Sequence, residues 1–272
     1  MSAQTMQEIG YFEMGGLKLR ANAARDAHFN VVMTDAELEE HEGTSAIARR
    51  ELVHRHMSNE ITSLDIAAQC VYEYPDAPWE LRMELARQCW DESRHIAALK
   101  RRLEEMGGHP GEFPIALFEW SITCAIESLV GRLASQNRTF ESGAMDVVGN
   151  LIQRLRAAGD EATAEMLDAI LADEIQHVRF ANRWIRKLAE QDRRTLLKVA
   201  MAVRFVDAVN RAMVPAAGLT NKVGKTFEAP EARVPIVNIE DRKLAEFSDE
   251  EIHEILRQAG FRALVTAEAP AQ

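Results

Sequence analysis

Long stretches of the chain carry apolar side chains at intervals of three and four residues, which is the spacing of an amphipathic helix. These stretches predict helices over about 44–72, 78–106, 115–158, 161–190 and 193–213, and a short one over 248–259. No alternation of apolar and polar residues is long enough to predict a sheet. The pattern therefore indicates an all-α fold.

Proline and glycine mark the ends of these helices. Pro75 and Pro78 end the first, because proline disfavours helix before it and donates no backbone hydrogen bond. Gly107 ends the second, and the turn at 157–160 separates the third from the fourth. Within the third, Gly143 or Gly149 could interrupt the helix. Before the last helix, Ser248 and Glu251 have the spacing of a capping box, which satisfies backbone groups at a helix start.

Three regions follow from this division. Residues 1–43 form an N-terminal extension with turns and a short helix, residues 44–190 a four-helix bundle, and residues 191–272 additional C-terminal helices packed on that bundle. The segment 214–247 is rich in Pro, Gly and β-branched residues, which indicates an irregular segment covering the bundle. Arg183, Asn238 and Arg242 are candidate polar contacts there.

Composition narrows the function classes. The chain has 272 residues, 47% of them hydrophobic, so it can bury a large core. Its net charge of −11 disfavours nucleic-acid and anionic membrane partners. No apolar run reaches the roughly 18 residues of a membrane span, and the N-terminus lacks signal-peptide features. Three scattered cysteines predict no disulfide framework, so we expect a cytoplasmic protein.

Two short motifs carry the candidate chemistry. Asp-Glu-Ser-Arg-His contains Glu92 and His95, and Asp-Glu-Ile-Gln-His contains Glu174 and His177. Residues three apart on a helix project from the same side, so each pair can offer a carboxylate and an imidazole to one metal ion. One Glu-x-x-His is weak evidence, whereas a repeat of it is much stronger.

A further glutamate precedes each motif at almost the same distance. Glu60 lies 32 residues before Glu92, and Glu141 lies 33 residues before Glu174. In both cases the inter-helix turn falls near the midpoint, and residues equidistant from the turn of an antiparallel hairpin lie at the same height. Each hairpin is therefore predicted to place a glutamate opposite a Glu-x-x-His.

Two nearby residues compete for roles in this site. Glu127 shares a face with Glu141, but at 1.5 Å per residue it would lie about 20 Å too far along a continuous helix. Glu141 is therefore favoured, although Glu127 could approach if the helix unwinds at Gly143 or Gly149. His56, four residues before Glu60, is a seventh ligand, a residue that hydrogen-bonds to the site from outside the ligand set, or an exposed side chain.

Four buried carboxylates require compensating cations, because unpaired buried charge is costly. Two divalent ions would neutralise them, and mixed carboxylate and imidazole ligands suit iron or manganese. The predicted cofactor is a pair of iron ions, with Mn/Fe or Mn/Mn as alternatives. Asp65, Asp91 and Asp173 are candidate acceptors for the outer N–H groups of the ligand imidazoles.

This pattern resembles that of the ferritin-like carboxylate-bridged di-iron proteins. More narrowly, the chain resembles a bacterial ferritin-like family of unknown function. The matching stretches are PDAP at 75–78, DESRH at 91–95, ESGAMD at 141–146, RAAGDE at 156–161, DEIQHVRFANRW at 173–184 and, more weakly, PIVNIEDRKLAEFSDEE at 235–251. The resemblance implies a ferritin-like bundle with six ligands: Glu60, Glu92, His95, Glu141, Glu174 and His177.

The expected activity is that of an oxygenase or oxidase, which uses O2 to hydroxylate or N-oxygenate a small organic substrate. The alternative is a ferroxidase, an iron-handling protein or a peroxide scavenger, which would need the same ligands. We see no flavin motif, so electrons would come from an external donor or the substrate. A homodimer is expected from fold-level analogy alone. Most of five aromatic side chains on the helices are expected in the core, and one near the metals could relay an electron or wall a substrate pocket: Tyr72, Trp90, Trp120, Phe180 and Trp184.

Overall fold

The computed structural model describes residues 10–21, 25, 27–32, 37–214, 217–227 and 236–258. Helices dominate this part of the chain, which confirms the all-α class. They are α1 (Ala46–Glu73), α2 (Trp79–Glu105), α3 (Phe118–Thr123), α4 (Leu129–Ser135), α5 (Ser142–Ala157), α6 (Glu161–Gln191), α7 (Arg194–Met213), α8 (Ile239–Leu244) and α9 (Asp249–Gln258).

Local signals set the ends of the long helices where the sequence predicts them. The Ser45 hydroxyl accepts the Ala48 N–H at 3.3 Å and caps α1. Gly107, with φ of 78°, follows α2, and Gly159, with φ of 77°, lies in the turn before α6. α1 packs against α2 and α5 against α6, so the chain forms two antiparallel hairpins.

The capping box before α9 is also confirmed. The Ser248 hydroxyl accepts the Glu251 N–H at 3.2 Å, and the Glu251 carboxylate accepts the Ser248 N–H at 2.8 Å.

The helical stretch predicted over 115–158 is interrupted, but not at either of the two glycines where the sequence indicated a break. The chain leaves helical geometry between Cys124 and Ser128, restarts as α4, and then forms a π-helical segment over Gln136–Glu141 before α5. The α-helix is therefore interrupted between Cys124 and Ser128 and again over Gln136–Glu141, and not at Gly143 or Gly149. π-Helical turns insert a residue into a helix and often occur at functional sites.

Short strands also appear where none was predicted, and the described residues before Thr44 contain no α-helix where a short one was predicted. β1 (Tyr11–Met14) and β2 (Leu17–Arg20) form an antiparallel hairpin, and β3 (Val31–Val32) pairs in parallel with β4 (Ile115–Ala116). These strands span four residues or fewer, too short for alternation to reveal them.

The buried apolar residues of the paired helices form two clusters with a polar layer between them. On α1, Met57 belongs to the first cluster and Ile66 to the second, with Glu60 between them. α2 and α6 likewise pass from one cluster to the other at their Glu-x-x-His motifs. The six candidate ligands therefore lie in one layer with apolar packing on both sides.

Three of the five aromatic side chains are in the core, as predicted for most of them. Trp120, Phe180 and Trp184 are buried in the second cluster. Trp90 and Tyr72, in contrast, are 64% and 69% exposed. Helical periodicity places a residue on a face of its helix, but does not show whether another element covers that face.

Candidate metal centre

The structure brings all six predicted ligand residues together. They come from α1, α2, the π-helical segment and α6, and every one is buried: Glu60, Glu92, His95, Glu141, Glu174 and His177. Each hairpin supplies one glutamate opposite one Glu-x-x-His, as the spacing from the turns predicts.

The ligand atoms fall into two overlapping groups. Glu60 and His95 complete one group, Glu141 and His177 complete the other, and Glu92 and Glu174 belong to both. Within each group, one atom from every residue lies within 4.8 Å of the others. Ligand atoms on opposite sides of one ion are about 4.2 Å apart at ordinary metal–ligand distances. The groups could therefore hold metal ions, with two carboxylates shared between them.

Both imidazoles point Nδ1 at the carboxylates. His95 Nδ1 lies 3.1 Å from Glu60 Oε2, 3.1 Å from Glu92 Oε2 and 3.5 Å from Glu174 Oε1. His177 Nδ1 lies 3.5 Å from Glu92 Oε1 and 3.4 Å from Glu174 Oε2. Glu92 and Glu174 each face both imidazoles, as the shared positions require.

The outer nitrogens are paired crosswise between the two motifs. His95 Nε2 lies 3.1 Å from Asp173, which precedes Glu174, and His177 Nε2 lies 3.5 Å from Asp91, which precedes Glu92. Arg94 contacts both aspartates, Asp173 at 2.9 Å. Each motif therefore supports the histidine of the other.

The third candidate acceptor, Asp65, is not part of this arrangement. It pairs instead with Arg25 at 2.6 Å.

An amide network that the sequence analysis missed surrounds Glu141. Gln88 Nε2 donates to Glu141 at 2.6 Å and to Glu92 at 3.1 Å, and Asn137 Nδ2 donates to Glu141 at 2.9 Å. Gln136 also approaches Glu141, at 3.5 Å. The signal was present in the sequence: Gln88 lies four residues before Glu92, and Asn137 four residues before Glu141, hence on the same helix faces.

The structure separates Glu127 from this cluster. Glu127 lies in the break between α3 and α4, its side chain is exposed, and its backbone carbonyl accepts the Tyr74 hydroxyl at 2.6 Å. The alternative prediction, that unwinding at Gly143 or Gly149 brings Glu127 to the ligands, is therefore wrong.

His56 lies at the edge of the site. Its Nε2 is 3.1 Å from Glu60 Oε1, on the side away from His95, and His56 belongs to neither of the two ligand groups. This position favours a supporting contact to Glu60 over a seventh ligand.

Burial and like charge disfavour ionisation of two carboxyls. Burial, together with the charges of Glu174 and Glu60, holds the pKa of Glu92 well above its usual range. Burial and the charge of Glu174 raise the pKa of Glu141 to about 8. Without a cation, the cluster holds more negative charge than its surroundings stabilise.

The site favours the neutral form of these two carboxyls but the charged form of the two imidazoles. Burial disfavours their charged forms, yet hydrogen bonds to Glu60 and Glu92 raise the pKa of His95 to about 11. Burial lowers the pKa of His177 more than any single neighbour raises it, but Glu174, Asp91 and Glu92 together bring the pKa well above its usual range. Protons on the histidines therefore compensate the carboxylates in the metal-free protein, and a metal ion would displace them.

Buried polar atoms without partners test whether a cation fits. Glu174 Oε1 and the inward-facing Nδ1 of His177 make no hydrogen bond to any residue that the structure describes. Buried polar atoms are normally hydrogen-bonded. Carboxylate and imidazole atoms that lack hydrogen-bond partners and converge on one place fit a bound metal ion.

A cavity of about 360 Å³ adjoins the centre. Glu60, Glu141 and Glu174 are among its lining residues, as are His56, Ser63 and Gln136. The rest of the wall is mainly apolar and includes Phe140, Met145, Val148, Leu151, Ile170 and Leu171. An organic molecule of modest size could therefore lie directly against the ligand carboxylates.

The predicted polar contacts from the C-terminal region do not line this cavity. Arg183 pairs with Glu246 on the surface. Asn238 N and Arg242 Nε both donate to Asp146, at 2.9 and 3.0 Å, and so fix α8 on α5. Residues 228–235 of the predicted covering segment lie outside the described residues.

Comparison with known proteins gives a family but no activity. Among curated proteins, an "Uncharacterized protein" of Haemophilus influenzae is 28% identical over 102 residues, which cover 37% of this chain and 35% of that protein. The aligned stretch thus spans about a third of the relative. No solved structure matches the chain. Across the described ranges, no helix has the length and apolarity needed to span a membrane.

A family model described as "Protein of unknown function (DUF455)" matches residues 3–253. Because this match covers nearly the whole sequence, the chain belongs to that family.

Proposed function

We propose that the protein is a ferritin-like, non-haem di-iron oxygenase or oxidase that uses O2 to oxidise a small organic substrate. Its two iron ions would be held by the two overlapping ligand groups, which share Glu92 and Glu174. Hydroxylation or N-oxygenation is the expected reaction type. Electrons beyond those of the substrate would come from an external donor.

The observation that carries this proposal is the cavity against the ligand carboxylates. Enzyme sites are concave, mostly apolar and furnished with a few convergent polar groups. Here the apolar wall comes from α5 and α6, and the polar groups include Glu60, Glu141 and Glu174. A protein that only stores or oxidises iron needs an ion path, but not an apolar cavity of about 360 Å³.

Bound iron would supply reducing electrons and open coordination positions for O2. The chain's own residues supply the rest. Asp173 and Asp91 orient the two imidazoles, Gln88 and Asn137 orient Glu141, and the apolar clusters exclude water from both sides of the polar layer.

Oxygen reactivity tests the proposal. Anaerobically iron-loaded protein is mixed with O2 and followed by absorption and Mössbauer spectroscopy. We expect an O2-dependent species in the wild type and in Glu127→Ala, but not in Glu141→Ala. Iron that stays unreactive toward O2 would contradict the proposal. Growth of a mineral iron core, or rapid peroxide consumption with no substrate oxidation, would favour the iron-handling alternative.

We expect Arg94 to be required for full metal affinity although it contacts no candidate ligand atom. Arg94→Gln removes the contacts to Asp91 and Asp173, and loss of such outer support typically weakens metal binding 10- to 100-fold. Competition with a chromophoric chelator measures this change. Arg101→Gln removes an exposed arginine of the same helix and should bind metal like the wild type. Equal affinities for both variants would exclude this role.

The expected homodimer has a candidate interface on α2. Trp79, Met83 and Trp90 lie on one face of this helix and are 64%, 43% and 64% exposed. Exposed apolar patches of this kind mark interaction sites. Trp90→Glu should give a monomer in sedimentation velocity, whereas Leu197→Glu, an equally exposed apolar position on α7, should leave a dimer. The opposite pattern would move the interface to α7.

A further inference from the structure

The π-helical segment Gln136–Glu141 borders two cavities. Phe140 and Glu141 line the cavity of about 360 Å³ at the metal centre. Arg138 and Thr139 line a second cavity, of about 440 Å³, whose other walls include parts of α7, α8 and α9. Close packing normally fixes the conformation of side chains in a protein interior. Between two cavities this constraint is weaker, so polar contacts must hold the conformation of the segment.

The helical register of this segment decides where the Glu141 carboxylate points. A π-turn closes its hydrogen bonds one residue later than an α-turn does. Conversion of the segment to α-helix would therefore rotate Glu141 relative to α4 by one residue position, or about 100°. Glu141 belongs to the same ligand group as His177. The α-helical register would turn its carboxylate away from that group.

Arg138 connects the segment to the C-terminal helices. Its guanidinium donates to Glu251 Oε1 of α9 and lies 5.0 Å from the centre of the Phe247 ring. The second oxygen, Glu251 Oε2, accepts the Ser248 N–H at 2.8 Å and lies 3.4 Å from Arg186 of α6. One carboxylate therefore joins the π-helical segment, the start of α9 and α6.

A second arginine contacts the residue that follows the segment. Arg242 of α8 donates to the backbone carbonyl and to the hydroxyl of Ser142, both at 3.3 Å, and its guanidinium lies 5.1 Å from the Phe247 ring. Phe247, Ile252 and Leu256 are buried in the first apolar cluster and hold the C-terminal helices on the bundle. These helices therefore give the segment a fixed support on the side away from the metal centre.

We propose that Glu251 is a positioning residue for the metal centre: through Arg138 it holds the π-helical register that directs Glu141 to the ligand group of His177. This inference rests on the metal centre of the proposed function, but not on its oxygen chemistry. Glu251→Gln is the variant that isolates this role. Glutamine can keep the capping box with Ser248, but it loses the charge that pairs with Arg138.

Hydrogen–deuterium exchange of the metal-free protein tests whether Glu251 holds the segment. We expect Glu251→Gln and Arg138→Gln to speed amide exchange in peptides covering 136–142 about fivefold, the size of one partly exposed ion pair. The double variant should show the same increase as either single variant, because all three lose one contact. Peptides that cover Glu92 and His95 should exchange at the wild-type rate.

Glu250→Gln is the matched control, since it removes the exposed neighbouring carboxylate, whose contact is to Ser248 at the start of the same helix. Its exchange over 136–142 should equal that of the wild type. Equal exchange in Glu250→Gln and Glu251→Gln would overturn the inference.

Anaerobic cobalt(II) titration tests whether the register reaches the ligands. A Glu60→Ala background leaves the group of Glu141 and His177 intact, and a Glu141→Ala background leaves the other group intact. Adding Glu251→Gln should weaken cobalt binding about fivefold in the first background and leave it unchanged in the second. Equal weakening in both backgrounds would indicate general destabilisation and overturn the inference. Neither measurement uses O2, so iron-loaded protein that does not react with O2 would contradict the oxygenase proposal alone.

Discussion

Loss of one shared carboxylate should remove both metal ions, whereas loss of an unshared one should remove a single ion. We expect wild-type protein to retain about two ions per chain after anaerobic loading and desalting. Glu174→Ala should retain none, because Glu174 belongs to both ligand groups. Glu141→Ala should retain about one, because the group with Glu60 and His95 is intact. Elemental analysis against protein concentration measures the difference.

Glu127→Ala is the control for this series, since Glu127 is an exposed glutamate outside both groups and should leave the stoichiometry unchanged. Melting curves establish that each variant is folded before metal is counted. Equal loss in Glu141→Ala and Glu174→Ala would mean that the centre fills only as a unit. Retention of both ions in Glu174→Ala would contradict the shared position itself.

A second large effect should be a change in the order of stability of two proteins, the wild type and Glu92→Gln, when metal is bound. The pKa of Glu92 is raised by burial and by neighbouring carboxylates, so the folded metal-free protein is strained by its own ligands. Glu92→Gln replaces this carboxyl by a neutral group of the same shape and should stabilise metal-free protein by about 2 kcal/mol, or about 5 °C in melting temperature.

Metal reverses the order of the two proteins. Saturating zinc should raise the wild-type melting temperature by about 10 °C, the gain expected when ligand exceeds its Kd about a thousandfold. Glu92→Gln should gain little, because both groups lose a ligand. Differential scanning calorimetry with and without a chelator measures all four states. If metal-free Glu92→Gln melts at a lower temperature than the metal-free wild type, repulsion among the ligand carboxylates does not destabilise the metal-free protein.

The ligand set could be predicted because helical geometry is regular. Glu60 and Glu92 lie equidistant from the turn at Pro75–Pro78, and a hairpin brings such positions to one level whatever surrounds them. Helix ends at Ser45 and Gly107 are similarly local, since capping and left-handed glycine depend on a few adjacent residues.

Other features depend on contacts distant in sequence and were not predicted. The π-helical segment before Glu141 is supported by amide contacts that converge from α2 and from the segment itself, such as those of Gln88 and Asn137. Exposure of Trp90 depends on the absence of a covering element in the described chain, which the pattern of one helix does not reveal. Cross-pairing of Asp91 and Asp173 requires both hairpins in place.

Because of that cross-pairing, tight metal binding at the centre should depend on the docking of the two hairpins. A folding intermediate with one hairpin formed would carry half of the ligands, and its histidine would lack the aspartate that only the other hairpin provides. Such an intermediate should capture metal weakly and release it quickly. Tight metal retention would then begin only when the two hairpins dock. In the cell, fully folded chains would therefore retain the ion, and partly folded chains would not.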